Sequence, residues 1–186
     1  MVKTTKGMII KKAFLIALAV FTLWLLVSVV WLAWSRTTYS KYCDGMIPNE
    51  FSNIIVPRYY TVDSDYTYLV KYPDYLSLTG NLGITANDTS KNVAGFLIWP
   101  PRWGNKTEYG IIINEDQVNY RIYTDNNGNP IDAKYQDIVN RYADEVDKIV
   151  QAANAMWDNR NFSLSGSKSI SNTGRTYDGR ELTYDS

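Results

Sequence analysis

From Ala13 to Trp34 the chain runs for 22 residues without a charge, and only Thr22 and Ser28 among them are polar. A bilayer core is about 30 Å thick and an α-helix rises about 1.5 Å per residue, so roughly 20 apolar residues cross it. The run is long enough. Its two hydroxyls can bond carbonyls one turn back, which hides their polarity. The stretch therefore predicts one transmembrane helix and makes everything after Ser35 a domain tied to a membrane.

The flanks set the expected orientation. Residues 1–12 carry Lys3, Lys6, Lys11 and Lys12, whereas Arg36 and Lys41 are the nearest positive charges on the far side. Basic residues beside a span stay cytoplasmic, which puts the N-terminus inside and the domain outside. Trp31 and Trp34 close the outer end, where indoles favour the interface; Trp24 sits deeper and does not fit that belt. Cleaved signal peptides carry shorter apolar stretches, about 7 to 15 residues. Ala33 and Ser35 form a small–x–small pair, but Trp31 and Trp34 crowd it, so an uncleaved signal-anchor is expected. No lipobox precedes Cys43.

The organisation that follows is a cytoplasmic basic arm (1–12), a transmembrane helix (13–34), a stalk (35–58), an extracytoplasmic α+β domain (59–158) and a flexible polar tail (159–186). Pro48 and Pro57 break any period in the stalk. Tyr66, Tyr68, Val70 and Tyr72 alternate as a strand requires. Tyr75–Leu78 and Leu82–Thr85 flank Thr79-Gly80-Asn81 and predict a hairpin. Val93–Trp99, Tyr109–Asn114 and Val118–Thr124 are rich in β-formers, with a tight turn at Glu115-Asp116. Asp125-Asn-Asn-Gly-Asn-Pro130 is a strong turn signal. Asp132–Trp157 then reads as one long helix. Ile138, Val139, Tyr142, Val146, Ile149, Val150, Ala153, Met156 and Trp157 recur at helical steps, with Asp132 as N-cap and Asp137–Arg141 and Asp144–Lys148 as i,i+4 pairs. The fold class expected is α+β: an antiparallel sheet covered by that helix, behind a single N-terminal span.

Composition narrows the chemistry. After Ser35, fifteen basic residues face nineteen acidic ones, a net charge of −4. That excludes a nucleic-acid footprint and predicts that the domain stands off an anionic lipid surface. The chain has no histidine and one cysteine, Cys43. A Ser-His-Asp triad and an intrachain disulfide are therefore excluded, and neither a metal nor a cofactor is expected. An exported domain without disulfides fits a bacterial cell envelope. Ser165-Gly-Ser-Lys168 lies in a tail unable to bury it, and the Asp125 turn has its glycine fourth, not sixth as a calcium loop requires. The Asn87, Asn105 and Asn161 sequons matter only in a eukaryotic host.

The contact-prone residues are aromatic. Trp99-Pro-Pro-Arg-Trp103 places two tryptophans around an arginine on a restricted backbone. Arg102 can stack on either ring, and Trp103 with Tyr109 can form a ledge. Six tyrosines fall between Tyr59 and Tyr75. The candidate binding residues are Trp99, Arg102, Trp103, Tyr109, Tyr66, Tyr68 and Tyr72. The function expected is a membrane-anchored binding or accessory protein that holds or regulates another envelope protein or a cell-wall component. The alternatives are an anchored glycan hydrolase using carboxylates among Glu108, Glu115, Asp116 and Asp125, and a structural subunit of a membrane assembly. Homo-oligomers could form through the span, where Ala13 and Ala17 make a small-xxx-small pair, or through Cys43.

Overall fold

The structure, a computed structural model, describes residues 3–101 and 106–157, with side chains from Met8 onward. The tail beyond Trp157, with its serines and Lys168, lies outside the described residues, as do Arg102 and Trp103. The fold is α+β, with one long apolar N-terminal helix and a seven-stranded antiparallel sheet.

Helix α1, Lys3–Tyr39, is long and apolar enough to cross a membrane. Thr22 and Ser28 donate to Leu18 O and Trp24 O, each at 2.8 Å, one turn back along the helix. Residues 35–58 differ from the expected stalk. Ser35 to Tyr39 complete α1, a 3-10 turn follows at Ser40–Tyr42, and Tyr39, Tyr42 and Met46 are buried in the core. The same segment supplies strand β1, Ile47–Pro48, to the sheet.

The remaining strands are β2 Arg58–Val62, β3 Tyr66–Lys71, β4 Asn81–Ala86, β5 Val93–Trp99, β6 Glu108–Glu115 and β7 Val118–Thr124. Their spatial order is their sequence order, β1 to β7, so each strand pairs with its predecessor. The expected hairpin at Thr79–Asn81 is absent. Tyr75–Leu78 is not a strand, and β4 pairs with β3 through Lys71↔Asn81. The β6–β7 turn places Asp116 and Gln117 at φ 50° and 65°, the left-handed pair that a two-residue hairpin needs to match strand twist.

Register sorts the side chains by face. Tyr68, Val70, Leu82, Ile84, Phe96, Ile98, Ile111 and Ile122 share one face and are all buried. Tyr60, Leu69, Leu97, Trp99 and Tyr123 share the other.

The expected single helix over Asp132–Trp157 is three pieces: a 3-10 turn at Ala133–Tyr135, α2 at Gln136–Arg141 and α3 at Ala143–Trp157. The break falls at Tyr142, with φ −116° and ψ 24°. Asp132 is the cap, accepting from Lys134 N at 3.1 Å, and Asp125 holds the preceding turn through Asn127 N and Asn129 N, each at 2.9 Å. Ile138, Val139, Val146, Ile149, Val150, Ala153 and Trp157 share one buried cluster with the sheet. The start of α3 is also tied to β5, where Glu145 accepts from Val93 N at 2.9 Å.

Arg141 does not pair with Asp137 as its spacing suggested. It reaches across to Glu115 on β6, with bonds of 2.9 and 2.7 Å, and Tyr142 donates to the same carboxylate at 2.9 Å. The Arg141 guanidinium and the Tyr142 hydroxyl hold the Glu115 carboxyl below the ordinary glutamate range. A depressed folded pKa stabilises at neutral pH, and that stabilisation fades as pH falls through the folded value. Glu115→Gln is thus expected to lower the unfolding temperature at pH 7, with the gap from wild type closing towards pH 3. A gap that stays constant across that range would reject the ion pair as the cause.

Candidate functional site

The most elaborately built feature is the junction where α1 meets the sheet. Trp31, Ser35, Tyr39 and Tyr42 follow one another at four-, four- and three-residue steps, one helical stripe, and all four are buried. Tyr39 is the centre. Its ring lies 5.4 Å from that of Tyr72 and 6.3 Å from that of Tyr42, and Tyr59 extends the set at 5.9 Å from Tyr72. Its hydroxyl accepts from Gly80 N at 2.9 Å.

The Pro73–Gly80 connection is lashed along the helix below that point. Trp31 Nε1 donates to Ser77 O at 2.6 Å, and the Trp31 and Tyr75 rings meet edge-on at 5.5 Å. The Tyr75 hydroxyl shares a 2.5 Å bond with Ser28 Oγ. On the other flank Arg36 donates to Ile54 O at 2.7 Å. Helix and domain are thereby one packed unit rather than a body on a string.

Burial raises the Tyr72 hydroxyl's pKa first, and the neighbouring Cys43 and Tyr59 add to it. Burial and the bond to Asp63 do the same for Tyr68. Both phenols stay neutral, which suits packing and not proton transfer at ordinary pH. Cys43 is half-buried beside Tyr72, 3.5 Å from Tyr39 O and 3.8 Å from the Tyr72 hydroxyl.

Comparison with protein-family models, with curated proteins and with solved structures returns no match.

The aromatic residues singled out in the sequence fall into separate places. Tyr68 and Tyr72 are core residues, and Tyr66 is half-buried beside Tyr68. Tyr109 stacks on Phe96 at 6.0 Å on the core face. Trp99 is on the opposite face, packed on Tyr123 at 5.8 Å and on the backbone of Gly110. Trp99 and Tyr109 therefore do not share a surface. What remains outward is the Trp99–Tyr123 pair, with Tyr123 about 39% exposed.

A shallow groove of about 310 Å³ opens between β2, β3 and α3, lined by Thr61, Val62, Asp63, Tyr68, Ala152, Ala155 and Met156. Asp63 is its ionisable carboxylate, and it is already occupied. Burial raises its pKa, but the Tyr66 and Asp65 amides and the Tyr68 hydroxyl outweigh that and hold the carboxyl low. Two of the four carboxylates considered for hydrolysis are likewise employed in the fold: Glu115 binds Arg141, and Asp125 caps its own turn. Among the described residues no three of His, Cys, Asp and Glu come together as a metal site.

The sequence reading missed Tyr39, Tyr42, Ser77 and Gly80. The available signal was the Trp31-Ser35-Tyr39-Tyr42 stripe, which carries the helical period past the end of the apolar run.

Proposed function

We propose that the protein is an envelope-anchored binding or accessory protein. The span α1 crosses the membrane with its lysines inside, and the domain outside holds or regulates another envelope component. The observation that carries this reading is the continuity of α1 with the domain through buried Trp31, Ser35 and Tyr39. Signal peptidase cleavage at the Ala33–x–Ser35 pair would cut through the packed junction, which favours an anchor that stays. In this reading α2 and α3 close the core face of the sheet, and the face bearing Trp99 and Tyr123 meets the partner. Paired aromatic rings on neighbouring strands of a rigid sheet supply apolar contact at low entropic cost.

Photocrosslinking from position 123 in intact cells tests the reading. A discrete protein or cell-wall adduct at Tyr123 that is absent at Lys148, on the exposed side of α3, is the expected result. Recovery of lipid alone, or the same adducts from both positions, would overturn it.

A further inference from the structure

Two loops beside the outer end of α1 expose large apolar side chains. Phe51 is about 59% exposed and Ile54 about 80%, with Ile55 also open, and Tyr75 and Leu76 form the second tip. Asn53 holds the first loop in shape by accepting from Ile55 N and Val56 N at 2.9 and 2.7 Å. Leu76 sits at φ 59°, a left-handed conformation that a bulky side chain adopts only at a cost. Neither tip gains anything from water.

The positions of the tips along α1 are fixed by hydrogen bonds. Tyr75 is bonded to Ser28, which lies inside the apolar run, six residues before Trp34. At 1.5 Å per residue that is roughly 9 Å inward from the outer end of the run. Ile54 is bonded through its carbonyl to Arg36, two residues beyond Trp34, at the level where a guanidinium meets headgroups. Asp74, paired with Lys71 at 3.3 Å, marks the polar edge just before the deeper tip.

We propose that the Tyr75–Leu76 and Phe51–Ile55 tips are immersed in the leaflet through which α1 exits, Tyr75–Leu76 the deeper, so that lipid is the partner of this surface. The inference rests on the anchored reading of α1, because a bond to Ser28 reaches hydrocarbon only if the span is in the bilayer. It departs from the stand-off that a net charge of −4 suggested. Charge spread over a domain is screened within about 8–10 Å, whereas the apolar tips act at contact. The domain is then seated flush on the membrane with a fixed tilt.

Nitroxide labels on single cysteines test this in the full chain, carrying Cys43→Ser, in vesicles of phosphatidylcholine with one-fifth phosphatidylglycerol. Labels at Leu76→Cys and Ile54→Cys are compared with Val20→Cys in the span and Thr89→Cys in the β4–β5 connection at the far end of the sheet. Expected are greater relaxation by oxygen than by an aqueous nickel complex at positions 20, 76 and 54, deeper at 76 than at 54, and the reverse at 89. Water-exposed labels at 76 and 54 with position 20 in lipid would overturn this inference and leave the anchor standing. A water-exposed label at 20 would overturn both. Spin–spin broadening at 76 that disappears on dilution, together with its lipid signature, would assign the patch to a second copy and overturn lipid as the partner. Should Leu76→Cys fail to fold, the strongly exposed position 54 decides alone.

Discussion

Gly80→Ala is expected to destabilise the full chain in detergent micelles by about 3 kcal/mol, lowering its unfolding temperature by about 10 °C. A Cβ at this position would lie 2.5 Å from Lys71 O and 2.8 Å from two ring carbons of Tyr39. The first contact is backbone in the last residue of β3, where the chain cannot step aside without breaking the Lys71↔Asn81 pairing. The second is a buried ring, held by Tyr72 and Tyr42. Any relaxation also lengthens the bond from Gly80 N to the Tyr39 hydroxyl and leaves a buried donor short of its partner. The substitution should loosen the junction specifically, so limited proteolysis should newly cut within residues 73–80 while α3 stays protected. An alanine variant as stable and as resistant as wild type would refute this account of the junction.

Trp157→Ala should cost about 4 kcal/mol, the range for removing a large buried aromatic. Trp157 is fully buried at the end of α3, its ring meeting that of Tyr68 edge-on with centroids 5.9 Å apart. Its indole nitrogen is buried with no hydrogen-bond partner among the described residues. Trp157→Phe should therefore lose only about 1–2 kcal/mol: it sheds ring volume but also sheds an unpaired donor. Urea unfolding followed by circular dichroism separates the two. Equal losses for alanine and phenylalanine would mean that the indole N–H, and not packing, carries the effect.

The parts of this fold that were legible are those where local chemistry and tertiary packing agree. Strands β5 and β7 begin and end where β-formers give way to turn residues. The turn before Pro130 is readable because Gly128, at φ 86°, occupies a conformation other residues avoid. The misreadings share another cause. Gly80 looked like a turn glycine, yet it is needed because Tyr39, forty-one residues earlier, packs against it. The break in the C-terminal helix has no glycine or proline to announce it, and Arg141, which ends α2, and Tyr142, at the break itself, are engaged by Glu115 from β6. The tyrosines between Tyr59 and Tyr75 looked like a contact surface, since an amphipathic ring suits both a surface and a core with a polar partner within reach. Partners distant in sequence decided each case.

The strict β1-to-β7 strand order has a consequence for synthesis. Every strand finds its partner in chain that has already emerged, so the sheet can grow by one hairpin at a time with short loop closures. Tyr39 and Gly80 can meet once β4 begins, before β5 exists, and the junction closes while roughly half the chain is still unmade. The last strands and α3 are then added to a seed that is already oriented against α1.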